Sequence, residues 1–170
     1  MMMPVLRRTW ALCGATPTLS VRARSHEKVS GIGALIVSPR RRHITLALAL
    51  YPRMNIRGPQ VLRFLRHLAR HVRGPFILVW DRGRSHKHNL VRAWLAAHPR
   101  CHIVWFPPYA PELNPVELLW GYLKYGRLAN FAPNTAEDIQ SNVCRERRRV
   151  ARRPQLLRSF FRHCALPFRV

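Results

Sequence analysis

Acidic residues are scarce in this chain: seven Asp and Glu stand against thirty Lys and Arg in 170 residues, a formal charge of +23 at pH 7. Such a balance repels other cations and draws polyanions, so nucleic acid is the expected partner, with an acidic membrane surface second. All but three of the basic residues are arginine, a bias that a GC-rich genome produces without any selection for guanidinium chemistry. Cysteine is also sparse. Cys13, Cys101, Cys144 and Cys164 are scattered with no C-x-x-C pair, which disfavours a zinc knuckle and a disulfide scaffold and fits reduced thiols in the cytosol. No apolar run reaches the length of a membrane span, and residues 10–15, after Arg7 and Arg8, are too short for a signal-peptide core. The Arg-rich, acid-poor first 26 residues have the make-up of a mitochondrial transit peptide, but acids are rare throughout, so that resemblance carries little.

What is present reads as one α/β domain with a basic tail. Apolar residues make up 48% of the chain, enough for a core, and no repeat or low-complexity linker interrupts it. Residues 28–37 and 44–50 have strand character, with 38–42 as a hairpin connection. Between residues 60 and 73 the positions Val61, Leu62, Leu65, Leu68, Ala69 and Val72 recur at helical spacing, with Arg63, Arg66, Arg70 and Arg73 on other faces. That basic face is read as solvated rather than as a specific DNA surface. Gly74 and Pro75 break the chain, and 76–80 is a continuous apolar run, as in a strand covered on both sides. A helix at 87–98 with Leu90, Val91, Trp94 and Leu95 inward and a strand at 101–106 follow. Asn114-Pro115-Val116-Glu117 has the form of a helix start, and the helix is expected to run to about Tyr125. Residues 135–138 look like a further cap. The alternation of strand and helix after a meander indicates an α/β sheet.

Two carboxylates stand out. Asp81 ends the apolar run at 76–80, and Glu117 lies in the first turn of the helix after Asn114, thirty-five residues intervening. A carboxylate at a strand's C-terminal end and another in the first turn of a later helix can converge on a divalent metal when both elements share one layer. Each has an ordinary alternative. Acids follow strands as turn formers, here before Gly83, and an acid at the third helical position completes a capping box. Glu112 sits in the proline turn, and Glu27, the only acid before Asp81, lies beside Lys28 as a surface charge would. His67 and His71 are four apart on the basic helix, a spacing that can hold a metal, but no acid lies near them in sequence.

Residues 76–131, above all the stretch PPYAPELNPVELLWGYLKYGRLANF, resemble the DDE transposases of bacterial insertion sequences in the mariner superfamily, and RRTWALCGATP and RRPQLLRSFFRHCALP extend the resemblance over nearly the whole chain. The resemblance implies a ribonuclease H-like mixed sheet flanked by helices, five strands in the order 3-2-1-4-5. It implies a core over 1–133 and a basic helical extension over 134–170. Asp81 and Glu117 take the places of the family's second and third acids, as metal ligands and catalytic residues. The first, central strand and its Asp would fall just before residue 7 and are expected to be missing. The segment 1–12 is a poor replacement, since Pro4 lacks a backbone donor and the segment carries no acid.

The implied chemistry is two-metal phosphoryl transfer on DNA with Mg²⁺ or Mn²⁺, cutting transposon ends and joining them to target DNA, TA targets being usual for the superfamily. His86 matches a histidine that often follows the second acid. With Lys87, Lys124, Arg145, Arg147, Arg148, Arg149, Arg152 and Arg153 it is a candidate for phosphate contacts, which position DNA without reading its sequence. The implied partners are DNA and an upstream transposase segment or a second copy, in a bacterial cytoplasm at the nucleoid, with no membrane. Two alternatives are a basic nucleic-acid-binding module without catalysis and an inactive transposase remnant.

Overall fold

In the computed structural model, residues 5–20, 28–40 and 42–166 are described; Glu27 lies outside them. The first hairpin pairs β1 (Val29–Val37) antiparallel with β2 (Ile44–Pro52), from Val29 opposite Pro52 to Val37 opposite Ile44. At its tip Ser38 N–H donates to His43 O at 2.9 Å, and the Ser38 hydroxyl accepts from the Arg42 and His43 N–H groups. Next come α1 (Gly58–His71), β3 (Phe76–Trp80), a 3₁₀ turn at Arg84–Lys87, α2 (Asn89–Ala96) and β4 (Cys101–Trp105). β3 and β4 pair in parallel, Phe76 opposite Cys101 through Trp80 opposite Trp105. A 3₁₀ turn at Pro111–Leu113 leads to α3 (Pro115–Gly121), which runs on as a π-helical turn, Tyr122–Arg127; α4 (Ala136–Ala151) and α5 (Pro154–His163) complete the chain.

Among the described residues the strands form two separate two-stranded sheets. They are the two pairs that would flank the central strand of the expected order. Val5 makes a parallel bridge with Ala129, just beyond the π turn, and among the described residues the segment 5–20 does not pair with β1 or β3. Asn130 fastens it there: its N–H donates to Val5 O, and its side chain exchanges two hydrogen bonds with the Arg7 backbone. Beyond this anchor residues 6–20 are exposed, Trp10 fully so.

The β1–β2 hairpin is the middle layer of an α/β/α stack. Strand alternation sends Ala34, Ile36, Ala47 and Ala49 toward Phe64 and Leu68 of α1, and sends Leu35, Ile44, Leu46, Leu48 and Leu50 toward α3, α4 and α5. On the latter side Leu119, Val143, Val150, Leu157 and Phe160 close the largest cluster, so the 134–163 helices share a core with β2. A third cluster joins Val61 and Leu65 of α1 to Val91 and Trp94 of α2 and to Phe76, Leu78 and Trp80 of β3, with Ile32 of β1 reaching in. This common apolar seam sets β3 beside β1 without backbone pairing.

Three expectations need correction. The β3 run is covered on one face only: Ile77 and Val79 are exposed, as is Val104 of β4, because α1 and α2 both pack against the opposite face. Leu90 is exposed rather than inward, because the α-helix starts at Asn89 after a 3₁₀ turn, with His88 as N-cap, and that phase turns Val91 and Trp94 to the core. The helix after Asn114 stays α-helical only to Gly121 before it widens into the π turn. Asn114 and Thr135 do cap α3 and α4, Thr135 with Asp138 in a capping box.

Candidate active site

β3 delivers Asp81 at its C-terminal end, where the chain turns. Gly83 N–H donates to Asp81 Oδ1 at 2.8 Å, the Asx turn expected of Asp-x-Gly. A Cβ on Gly83 would stand 2.9 Å from that oxygen, so a side chain there would displace the carboxylate. The 3₁₀ turn at 84–87 carries His86 back over the strand end. Its Nδ1 lies 2.9 Å from Asp81 Oδ1 and its ring stacks on Trp80 at 4.0 Å between centroids. His86 holds the Asp81 carboxyl below the ordinary aspartate range, with Gly83 N–H helping and partial burial opposing. Trp80 lies parallel to Trp105 at 6.0 Å, and Arg82 Nε donates to Phe106 O, which ties the ends of β3 and β4 together. The Asp81 side chain is 52% exposed and open to a ligand.

Glu117 is placed by α3. Asn114 accepts from Val116 N–H at 3.1 Å and Pro115 occupies the first helical position, so the helix begins where the sequence indicates. No capping box involving Glu117 forms among the described residues, and its carboxylate is left free of the cap. The helix is seated on β1 through Trp120, whose indole covers Gly31 and Gly33; Cβ atoms there would meet it at 2.9 and 3.2 Å. Partial burial raises the Glu117 carboxyl above its ordinary value, and the Asp81 charge raises it further. Asp81 and Glu117, distant in sequence, are therefore electrostatic neighbours.

Other candidates lie elsewhere. Lys87 and Lys124 are exposed, Lys124 with its ammonium 5.0 Å from the Tyr125 ring centroid. Arg145, Arg148, Arg152 and Arg153 are exposed and Arg147 half-buried, whereas Arg149 is engaged by Glu146 at 2.6 Å. His67 and His71 contact each other on the outer face of α1. Among the described residues no group of three or more His, Cys, Asp or Glu is placed to hold a metal ion. Sequence reasoning missed Trp80 and Trp105 as the platform under His86, and only their place at the ends of neighbouring strands could have signalled it.

Residues 2–140 match the family described as DDE superfamily endonuclease. The chain belongs to that family. Two solved structures share the fold of this DDE superfamily endonuclease. One is the Mos1 strand transfer complex, at 16% identity and a TM-score of 0.57, covering 97% of this chain and 52% of that one. The other is the Mos1 mariner paired end complex with Mn, at 15% identity and a TM-score of 0.58, covering 98% and 53%. The chain thus spans about half the length of the solved chains it matches. At such identities the likeness concerns the fold, and it bears out the ribonuclease H-like class. No curated protein matches the chain. No helix among the described residues is long and apolar enough to cross a membrane.

Proposed function

We propose that this endonuclease is a transposase catalytic core that cuts and joins DNA strands with Mg²⁺ or Mn²⁺, and that Asp81 and Glu117 are its metal-binding catalytic residues. The observation that carries the reading is that Asp81, at a strand end, lies near enough to Glu117, at a helix start, for its charge to raise the Glu117 carboxyl. An ionised Asp81 whose charge opposes ionisation of a neighbouring Glu117 suits a hard divalent cation, which takes oxygen ligands and leaves its other positions to water and substrate phosphate. When bound, the metal would activate the attacking oxygen and neutralise charge at the leaving one.

Within that site the described hydrogen bonds to the Asp81 carboxylate fall on Oδ1, which Gly83 and His86 hold, so Oδ2 is the oxygen left to meet a cation. His86 acts as a positioning residue that keeps Asp81 ionised. Lys87, Lys124, Arg145, Arg147, Arg148, Arg152 and Arg153 supply phosphate neutralisation, with transposon-end and target DNA as partners. A further carboxylate from another segment or a second copy would complete the three-acid set. The setting is a bacterial cytoplasm, at the nucleoid.

Thermal melting of the 170-residue protein in a Mn²⁺ titration, beside DNA binding at several salt concentrations, tests the reading. Mn²⁺ should raise the melting temperature of the wild type, by about 2–3 kcal/mol of stabilisation at a hundredfold excess over Kd. Asp81→Asn and Glu117→Gln should each remove that rise and leave salt-dependent DNA binding intact. A rise of equal size in both variants refutes the ligand assignment. Steeply salt-dependent DNA binding with no Mn²⁺ effect in the wild type would instead identify a binding module without catalysis.

A further inference from the structure

Between the loop that leaves the π turn and the first turns of α4 lies a cavity of about 370 Å³. Phe131, Asn134, Asp138, Ser141, Asn142 and Arg145 line it, the last four brought to one face of α4 by their three- and four-residue spacing. It shares no residue with the Asp81–Glu117 pair. Asn142 is only 9% exposed, yet among the described residues its carboxamide makes no hydrogen bond to protein. No side-chain polar atom among the described residues is both buried and without a partner, so this carboxamide keeps contact with solvent, to which it offers two donors and an acceptor oxygen. Asn142 lines the cavity, which is an opening through which its polar atoms can meet a ligand.

The remaining wall indicates what would partner them. Asp138 Oδ2 already accepts from Asn134 N–H and Thr135 N–H at 3.0 and 2.9 Å, so this carboxylate serves the helix cap. Its charge and that of Arg145 cancel, and the volume far exceeds one phosphate, so the cavity does not suit a free anion. It suits a flat group with an apolar face and a polar edge. Phe131 offers a surface on which such a ring can stack, and Asn142 offers the paired donor and acceptor that asparagine presents to a base edge. Arg145, exposed at the mouth, can meet an adjoining phosphate. We propose that this cavity is a subsite for one unpaired nucleobase of a DNA strand. The inference rests on the DNA-binding reading above and adds a specific place where a base leaves the stack.

The test compares three duplexes of one length and sequence: fully paired, with a single-purine bulge, and with an abasic bulge of the same flexibility. Affinities are measured for the wild type, for Asn142→Leu, which removes the carboxamide at similar volume, and for Ser141→Phe, which fills the cavity from an exposed position. The wild type should bind the purine bulge about five- to tenfold more tightly than the abasic one, the lower part of the range for base–aromatic stacking at an open site. Both variants should lose that preference and keep wild-type affinity for the paired duplex. If Asn142→Leu fails to fold, Ser141→Phe decides alone. Equal binding of both bulges by the wild type, with the paired duplex still bound, overturns the cavity assignment and leaves the DNA reading standing. Persistence of the preference in Ser141→Phe overturns it as well. Failure to bind any duplex removes the DNA reading and this subsite with it.

Discussion

Replacing Glu146 by Gln tests how the helix that carries Glu117 is held. Glu146 is 3% exposed and accepts three hydrogen bonds, from Arg127 Nε and Nη2 at 2.6 and 3.4 Å and from Arg149 Nη1 at 2.6 Å. Arg127 belongs to the π turn continuing α3, so the pair clamps that helix to α4. Gln keeps the volume and one acceptor, but sets an NH₂ group against a guanidinium donor. Hydrogen bonds to charged groups contribute about 1.5–3 kcal/mol each. Breaking a buried pair costs about 3–5 kcal/mol when the abandoned charge stays buried. Here the two guanidinium groups are 39% and 54% exposed and can turn to water. The expected loss is therefore smaller, about 1–3 kcal/mol, or a melting temperature lower by about 3–10 °C for a chain of this size. The arginines, Arg127 first, hold the Glu146 carboxyl below the ordinary glutamate range. Its stabilisation is thus complete above that range and is lost as pH falls through the lowered value, so the gap between wild type and variant should close in acid. Calorimetry from neutral pH downward measures this. Melting within about 1 °C of wild type at neutral pH, or a gap that does not narrow on acidification, refutes the clamp.

Three further outcomes follow from the same geometry. Gly31→Ala sets a methyl 2.9 Å from the Trp120 indole and should cost about 1–3 kcal/mol by overpacking, with weaker Mn²⁺ stabilisation as α3 shifts; unchanged melting would show that Trp120 yields freely. Glu117 has a raised carboxyl, so without metal its ionisation opposes folding as pH rises through the window just above the ordinary glutamate value. Glu117→Gln should therefore melt higher than wild type at neutral pH, and a lower melting temperature would contradict the Asp81 coupling. Asp81 has a lowered carboxyl, so Asp81→Asn should melt lower at neutral pH and converge with wild type in acid; a rise at neutral pH would show that His86 and Gly83 do not stabilise the carboxylate.

The elements that could be read from sequence carried local signals. Asn114-Pro115 marked the start of α3 because cap and proline act on their immediate neighbours, and the apolar run at 76–80 marked β3. The exposure of Ile77 and Val79 could not be read, since which face of a strand is covered depends on where distant helices pack. The Asp81–Glu117 pairing was suggested by their places at a strand end and a helix start and singled out by the family resemblance, since two lone acids thirty-five residues apart have no periodicity to link them. Glu146 lies in no motif. Its signal was its phase, shared with Asn142, Val143 and Val150 on the buried face of α4. Asn142 shares that phase, but a polar residue type gives no sign of burial by itself.

The π turn at Tyr122–Arg127, closed by Leu128 N–H donating to Leu123 O, gives one stretch of this chain an unusual relation to length. It holds one residue more than an α-turn would, and the extra residue sets the phase of all that follows. Deleting any one of those residues would let the segment relax into an α-helix and rotate its continuation by about 100°. Arg127 would swing away from Glu146, and Asn130 would leave the backbone of Val5 and Arg7. The fold thus depends less on which side chains stand at exposed 124 and 125 than on the number of residues between Leu123 and Leu128. Among relatives of this chain, that segment should stay constant in count even where its exposed side chains differ.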